Sequence, residues 1–76
     1  MLLADGFERA FIGTTVGQPG REDDLAVYSY NKCIEVLMTQ DDAMSYDEAV
    51  EFFYYNVAGA YVGEETPIFI YMHEER

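Results

Sequence analysis

Three consecutive segments decide the fold: Ser45-Tyr46-Asp47-Glu48, Asn56-Val57-Ala58-Gly59-Ala60-Tyr61-Val62-Gly63 and Thr66-Pro67-Ile68-Phe69-Ile70-Tyr71. The first is a capping box. Its serine hydroxyl can accept from the Glu48 amide while the Glu48 carboxylate reaches back to the Ser45 amide, so a helix starts here. Asp47, Glu48 and Glu51 then stand in the early turns, where negative charge suits the positive end of the helix dipole. Tyr46, Ala49, Val50, Phe53, Val57 and Ala60 fall on one face at helical spacing over four turns, which marks that face as core. Gly63 is the expected stop, because glycine enters the left-handed conformation at little steric cost. After the link Glu64-Glu65-Thr66, Pro67 suits the first position of a strand, and Ile68 to Met72 is apolar on both faces. Such a strand is expected in the sheet's interior, between the first two strands or beside them under a helix layer.

Upstream, Ser29 is the expected N-cap of a helix from Tyr30 to about Asp41. Tyr30, Cys33, Ile34, Leu37 and Met38 share its apolar stripe, while Lys32, Glu35 and Thr39 face away. Asp41 and Asp42 oppose the dipole at its C-terminal end and end it there. Further back, Phe7 to Gly13 reads as a strand with Ala10 and Ile12 on one side and Phe11 on the other. Leu25 to Tyr28 reads as a second strand. Between them, Gly13, Gly17, Pro19, Gly20 and Arg21-Glu22-Asp23-Asp24 have loop chemistry, making the connection a long hairpin. His73-Glu74-Glu75-Arg76 is expected to be a frayed polar end. The reading is an α+β single domain over residues 1–76, in the order β-β-α-α-β. It has a small three-stranded, mainly antiparallel sheet with two helices on one face.

Composition narrows the functional classes. Half of the 76 residues are hydrophobic, with seven Tyr and five Phe, so the chain carries enough apolar surface to fold. Fifteen acidic against four basic residues give a formal charge of −11, and the bases Arg9, Arg21, Lys32 and Arg76 are scattered. That balance disfavours direct binding to nucleic acid and to anionic membranes. No apolar run reaches the length of a spanning helix, and Met1 to Phe7 lacks the pattern of a secretion signal, so a soluble cytoplasmic protein is expected. The single cysteine, Cys33, excludes an internal disulfide and leaves too few soft ligands for structural zinc.

The residues offer no catalytic constellation. Cys33 lies on an apolar stripe, where cysteine behaves as a small hydrophobe, and a reactive thiolate would need an accessible electropositive setting and a base. His73, the only histidine, falls in the expected tail. Asp41-Asp42-Ala43-Met44-Ser45 lacks the alternating oxygen ligands and central glycine of a calcium loop, and Gly13 to Gly20 matches neither common phosphate-binding fingerprint. No catalytic residue, metal or cofactor is therefore assigned, and an enzyme is not expected.

Two features remain. Glu48, Phe52, Tyr55 and Gly59 form a second stripe on the helix from Tyr46, opposite its core face. Gly59 would admit a close backbone neighbour between two aromatic walls. Packing of the first helix on this stripe is the nearer reading, and an interface with aromatic anchors is the other. The acidic residues most simply form a solvated face. The sharper alternative has Glu22, Asp23, Asp24, Asp41, Asp42, Asp47, Glu48, Glu51, Glu64 and Glu65 imitating a phosphate array in the basic groove of a nucleic-acid enzyme.

Lys32-Cys33-Ile34-Glu35-Val36-Leu37-Met38, Met44-Ser45-Tyr46-Asp47-Glu48-Ala49, Asn56 to Gly63 and Thr66-Pro67-Ile68-Phe69 resemble a group of small acidic proteins encoded by tailed bacteriophages. The similarity covers the later part of the chain, and its N-x-x-G-A-Y-V-G-x-x-T-P-I-F arrangement carries no function by itself. The resemblance implies a product of the cytoplasm of an infected bacterium that acts by binding host machinery or defence complexes. The expectation is thus a non-enzymatic accessory protein that binds and inhibits a host protein, in its sharpest form a nucleic-acid-binding defence enzyme. Asp23, Asp24, Asp41, Asp42, Asp47, Glu48, Glu51, Glu64 and Glu65 would make the contact, with Phe52, Tyr54 and Tyr55 as anchors. The alternative is a structural or assembly module, homodimeric through Phe52, Tyr55 and Gly59.

Overall fold

The computed structural model describes residues 1–20, 24–40, 43–60, 63 and 65–73. Strands β1 (Phe11–Thr14) and β2 (Ala26–Ser29) are followed by helices α1 (Tyr30–Thr39) and α2 (Tyr46–Phe52) and by strand β3 (Ile68–Ile70). The fold is α+β in the order β-β-α-α-β. β1 pairs antiparallel with β2, and β3 pairs parallel with β2, so the sheet order is β1-β2-β3.

Of the two places open to the last strand, the structure uses the one beside the first pair. β3 lies at an edge, and the centre belongs to β2, whose Ala26, Tyr28 and Ser29 are buried. The apolar run of β3 finds cover instead from rings. Phe69 meets Tyr28 at 5.7 Å and Phe53 edge-on at 5.0 Å between centroids. Phe11 extends this row on the other side of Tyr28, at 5.5 Å.

The first strand is shorter than Phe7 to Gly13. A 3-10 turn, Glu8–Ala10, precedes it, with the Ala10 amide donating to the Phe7 carbonyl at 2.9 Å. Phe7 and Ala10 are buried by this turn, whereas Phe11 and Ile12 are both exposed. The expected alternation fails because Phe11 opposes Tyr28 while Gly13 opposes Val27, which leaves Ile12 as the extra residue of a bulge. The hairpin neck is closed by Thr15, whose amide donates to the Leu25 carbonyl and whose hydroxyl accepts from the Leu25 amide, both at 2.8 Å.

α1 begins as its sequence dictates: the Ser29 hydroxyl accepts from the Lys32 amide at 3.2 Å. Cys33, Ile34 and Leu37 are buried, joined by Val36, and Lys32, Glu35 and Thr39 are exposed. The helix stops at Thr39, two residues before Asp41. Thr39 Oγ1 donates back to the Glu35 carbonyl at 2.9 Å, and Gln40 has left helical geometry.

α2 opens on the full capping box. The Ser45 amide donates to Glu48 Oε1 at 3.0 Å and the Glu48 amide to Ser45 Oγ at 3.2 Å. The regular helix then lasts only to Phe52. Phe53–Val57 form a π turn, in which the Ala58 amide donates to the Phe53 carbonyl, and Ala58–Ala60 form a 3-10 turn. The extra residue in the π turn shifts the facing of everything after it. Ala49, Phe53 and Val57 are buried as expected, but Ala58 packs on the core while Ala60 is exposed. Tyr46, assigned to the core face, is exposed as well, because it stands in the first turn. Gly63 adopts φ +107°, a conformation that favours glycine.

A single cluster of buried side chains runs from Ala4 to Val57. The molecule is thin, with principal extents of 42 × 33 × 17 Å. Its radius of gyration of 13.2 Å exceeds the roughly 11 Å expected of a compact chain of this length. A slab of that thickness leaves many large apolar side chains at its surface, and the functional question turns on which of them have partners.

Candidate functional site: an acidic and aromatic face on the second helix

Glu48, Glu51, Phe52, Tyr55, Asn56 and Met44 line a shallow depression of about 490 Å³ on the outer side of α2. The capping box sets the start of the helix and thereby the direction in which this strip points. It also holds the Glu48 carboxylate, one oxygen of which accepts from the Ser45 amide. Glu51, one turn further on, makes no hydrogen bond or ion pair among the described residues. Phe52 is 37% and Tyr55 76% exposed. Neither ring meets another aromatic ring among the described residues.

Packing of α1 on this strip, the nearer expectation, is not what the chain does. α1 meets the inner side of this helical segment, where Tyr30 contacts Phe53, the first residue of the π turn, edge-on at 5.1 Å. Gly59 has another explanation than a close neighbouring backbone. A Cβ built there would stand 3.0 Å from the carbonyl oxygen of Tyr54, in the π turn of its own helix. Gly59 thus accommodates the widened turn, and the strip stays open.

The remaining expected contact residues are not gathered into one array. Asp24 Oδ1 accepts from the Gly17 amide at 2.9 Å and closes the hairpin loop. Glu65 Oε1 lies 2.8 Å from the Met1 ammonium, whose hydrogen bond and charge hold the Glu65 carboxyl below its ordinary pKa. Asp47 shares the first turn of α2 with Glu48. Glu22, Asp23, Asp41, Asp42 and Glu64 lie outside the described residues, as do Tyr61 and the tail from Glu74. The described carboxylates that stand beside the expected anchors are therefore Glu48 and Glu51.

Tyr54, grouped with Phe52 and Tyr55 in the sequence, belongs elsewhere. Its ring lies 5.4 Å from Phe53 and 6.1 Å from Tyr30, which is itself 6.1 Å from Tyr71. Tyr30, Tyr46 and Tyr71 border a second cleft, of about 550 Å³, shared with Lys32, Glu35 and Met38. Burial, followed by the phenols of Tyr54, Tyr46 and Tyr71, pushes the Tyr30 pKa up. This cluster had no sequence signal. Its members come from the start of α1, the start of α2, the π turn that follows it and the residue after β3, and no spacing links them.

Cys33 is fully buried, and burial pushes its thiol up to about 12, so it is held as a protonated hydrophobe. Among the described residues no three His, Cys, Asp or Glu side chains gather to hold a metal ion. His73 is exposed and packs edge-on against Tyr71 at 5.0 Å. No helix among the described residues is long and apolar enough to cross a membrane.

The chain matches no family model, no curated protein and no solved structure. The geometry of the face itself is what a functional reading has to start from.

Proposed function

We propose that this chain is a non-enzymatic accessory protein that binds and inhibits another protein through the outer face of α2. The observation that carries the reading is the pairing of Glu48 and Glu51 with two exposed aromatic rings, Phe52 and Tyr55, around one depression. Aromatic side chains that enter a partner's pocket are among the few residues that carry most of an interface's binding energy. The formal charge of −11 selects for a basic partner and speeds its approach. The resemblance to phage proteins supplies the setting: the cytoplasm of an infected bacterium, with a host protein as the partner. In its sharpest form the partner is a nucleic-acid-binding defence enzyme whose phosphate-binding groove receives these carboxylates.

The test is affinity capture from bacterial lysate at low salt with the wild-type chain and Phe52→Glu in parallel, followed by binding of the purified partner at rising salt. The reading requires a basic partner that Phe52→Glu loses while remaining folded by circular dichroism, and whose affinity falls as salt screens the charges. Recovery of no basic partner would overturn it. So would light scattering that finds a stable homodimer dissociated by Phe52→Glu, which establishes the assembly module instead.

A further inference from the structure

The depression on α2 differs from the tyrosine cleft in what its walls still have to offer. At the cleft, Tyr30 already meets the rings of Tyr71, which shares its lining, and of Tyr54 beside it, and Lys32 stands in the lining. In the depression there is no basic residue, two carboxylates are present, and the Phe52 and Tyr55 rings have no aromatic partner among the described residues. Flat π faces and carboxylate oxygens in one place are complementary to a group that is planar, cationic and rich in donors.

We propose that this depression receives the guanidinium of an arginine side chain presented by the partner. The inference rests on the binding role proposed above and names the chemistry that this face takes. A guanidinium can stack on an aromatic ring while its edge donates to a carboxylate, because its plane and its donors point in different directions. Glu51 is the carboxylate available for that edge. Glu48 keeps one oxygen on the Ser45 amide, which fixes the carboxylate without occupying both oxygens. The Asn56 side chain adds a further polar group to the same lining. An ammonium group fits less well, since it is compact, strongly hydrated and cannot stack. The acidic charge of the whole chain favours any cation, so discrimination between arginine and lysine is the signature of the site itself.

The experiment uses the full chain, isotopically labelled, titrated by NMR with three capped tripeptides: Gly-Arg-Gly, Gly-Lys-Gly and glycine-flanked citrulline, the neutral isostere of arginine. The arginine peptide should shift the amides of residues 48–56 saturably. Lysine should bind about tenfold more weakly, as the loss of stacking and forked donation implies, and citrulline should not bind. Tyr55→Ala and Glu51→Gln, both at exposed positions, should each weaken the arginine response with the rest of the spectrum unchanged. Equal binding of arginine and lysine, shifts spread over other acidic segments, or a response indifferent to Tyr55→Ala would overturn the proposal. Failure here with Phe52→Glu still abolishing partner capture removes the arginine assignment alone. Specific arginine binding without any captured partner removes the host-protein reading and leaves the receptor.

Discussion

Phe52 and Phe53 are neighbours in sequence with opposite fates. Phe53 is 2% exposed and meets Tyr30, Tyr54 and Phe69 nearly edge-on, whereas Phe52 is 37% exposed and its ring meets no other among the described residues. The π turn begins between them. On its inner side the segment completes a row of rings, from Phe11 through Tyr28 and Phe69 to Phe53 and Tyr30, that spans the sheet and both helices. On its outer side equally large apolar groups stand beside carboxylates and water. Aromatic content alone therefore does not separate the buried side of this segment from its open side; for Phe52 and Phe53 the ring partners do.

Phe53→Ala should break the inner side outright. Truncating a buried phenylalanine costs about 3–5 kcal/mol, comparable with the whole stability of many domains of this size. Urea unfolding followed by circular dichroism should show a chain largely unfolded in buffer. A small loss would mean that the ring row is not what joins the second helix to the sheet.

The inner side should also fail in alkali. The folded chain raises the Cys33 pKa from 9.0 to about 12 and raises that of Tyr30 above 10.0. Both groups hold their protons longer when folded, so their contribution is fully present below the unfolded pKa values. It is lost as pH rises from about 9 to about 12, because only the unfolded chain then gains by releasing protons. Unfolding midpoints should fall across that window, and Cys33→Ala should flatten the fall while lowering stability at neutral pH. A thiol reagent should label Cys33 at a rate that follows unfolding.

Most of the inner side was legible in the sequence. Serine caps at Ser29 and Ser45, and apolar residues at helical spacing such as Cys33, Ile34, Leu37, Ala49, Phe53 and Val57, are local signals that the chain obeys. What escaped depends on hydrogen-bond register. The bulge at Ile12 and the π turn at Phe53–Val57 each insert one residue into a repeating pattern, and no residue type announces either. The insertions exposed Phe11 and Ile12, turned Ala60 outward and gave Gly59 a role within its own helix. The candidate site was legible in part. Glu48, Phe52 and Tyr55 share a stripe that helical spacing identifies, and the structure adds Glu51 to it while giving Gly59 another role. The separation of Tyr54 from that strip, and the diversion of Asp24 and Glu65 into contacts within the chain, required the tertiary structure.

Ser45→Ala sharpens the comparison because it acts on the orientation of the outer strip without touching the inner rings. Losing the cap should cost about 1 kcal/mol and release the Glu48 carboxylate from the Ser45 amide. The expected result is a modest drop in the unfolding midpoint and a larger proportional loss of binding at the outer face. Hydrogen exchange should speed up in the first turn of α2 and stay slow around Phe53.

Phe52→Ala and Tyr55→Ala should have small effects on folding. Tyr55, 76% exposed, contributes little to the folded state, so its truncation should stay within about 0.5 kcal/mol of the parent. Phe52, 37% exposed, keeps more covered surface, and its loss should cost about 1 kcal/mol. The same substitutions should remove most of the binding at this face, since truncating an aromatic anchor is among the costliest changes at an interface. The dissociation between the two measurements is the point of the experiment. If either variant instead loses stability on the scale of Phe53→Ala, the ring has a packing partner and the strip belongs to the core. If both variants fold and bind as the parent does, the carboxylates act without aromatic anchors, and the contrast between Phe52 and Phe53 concerns solvation rather than recognition.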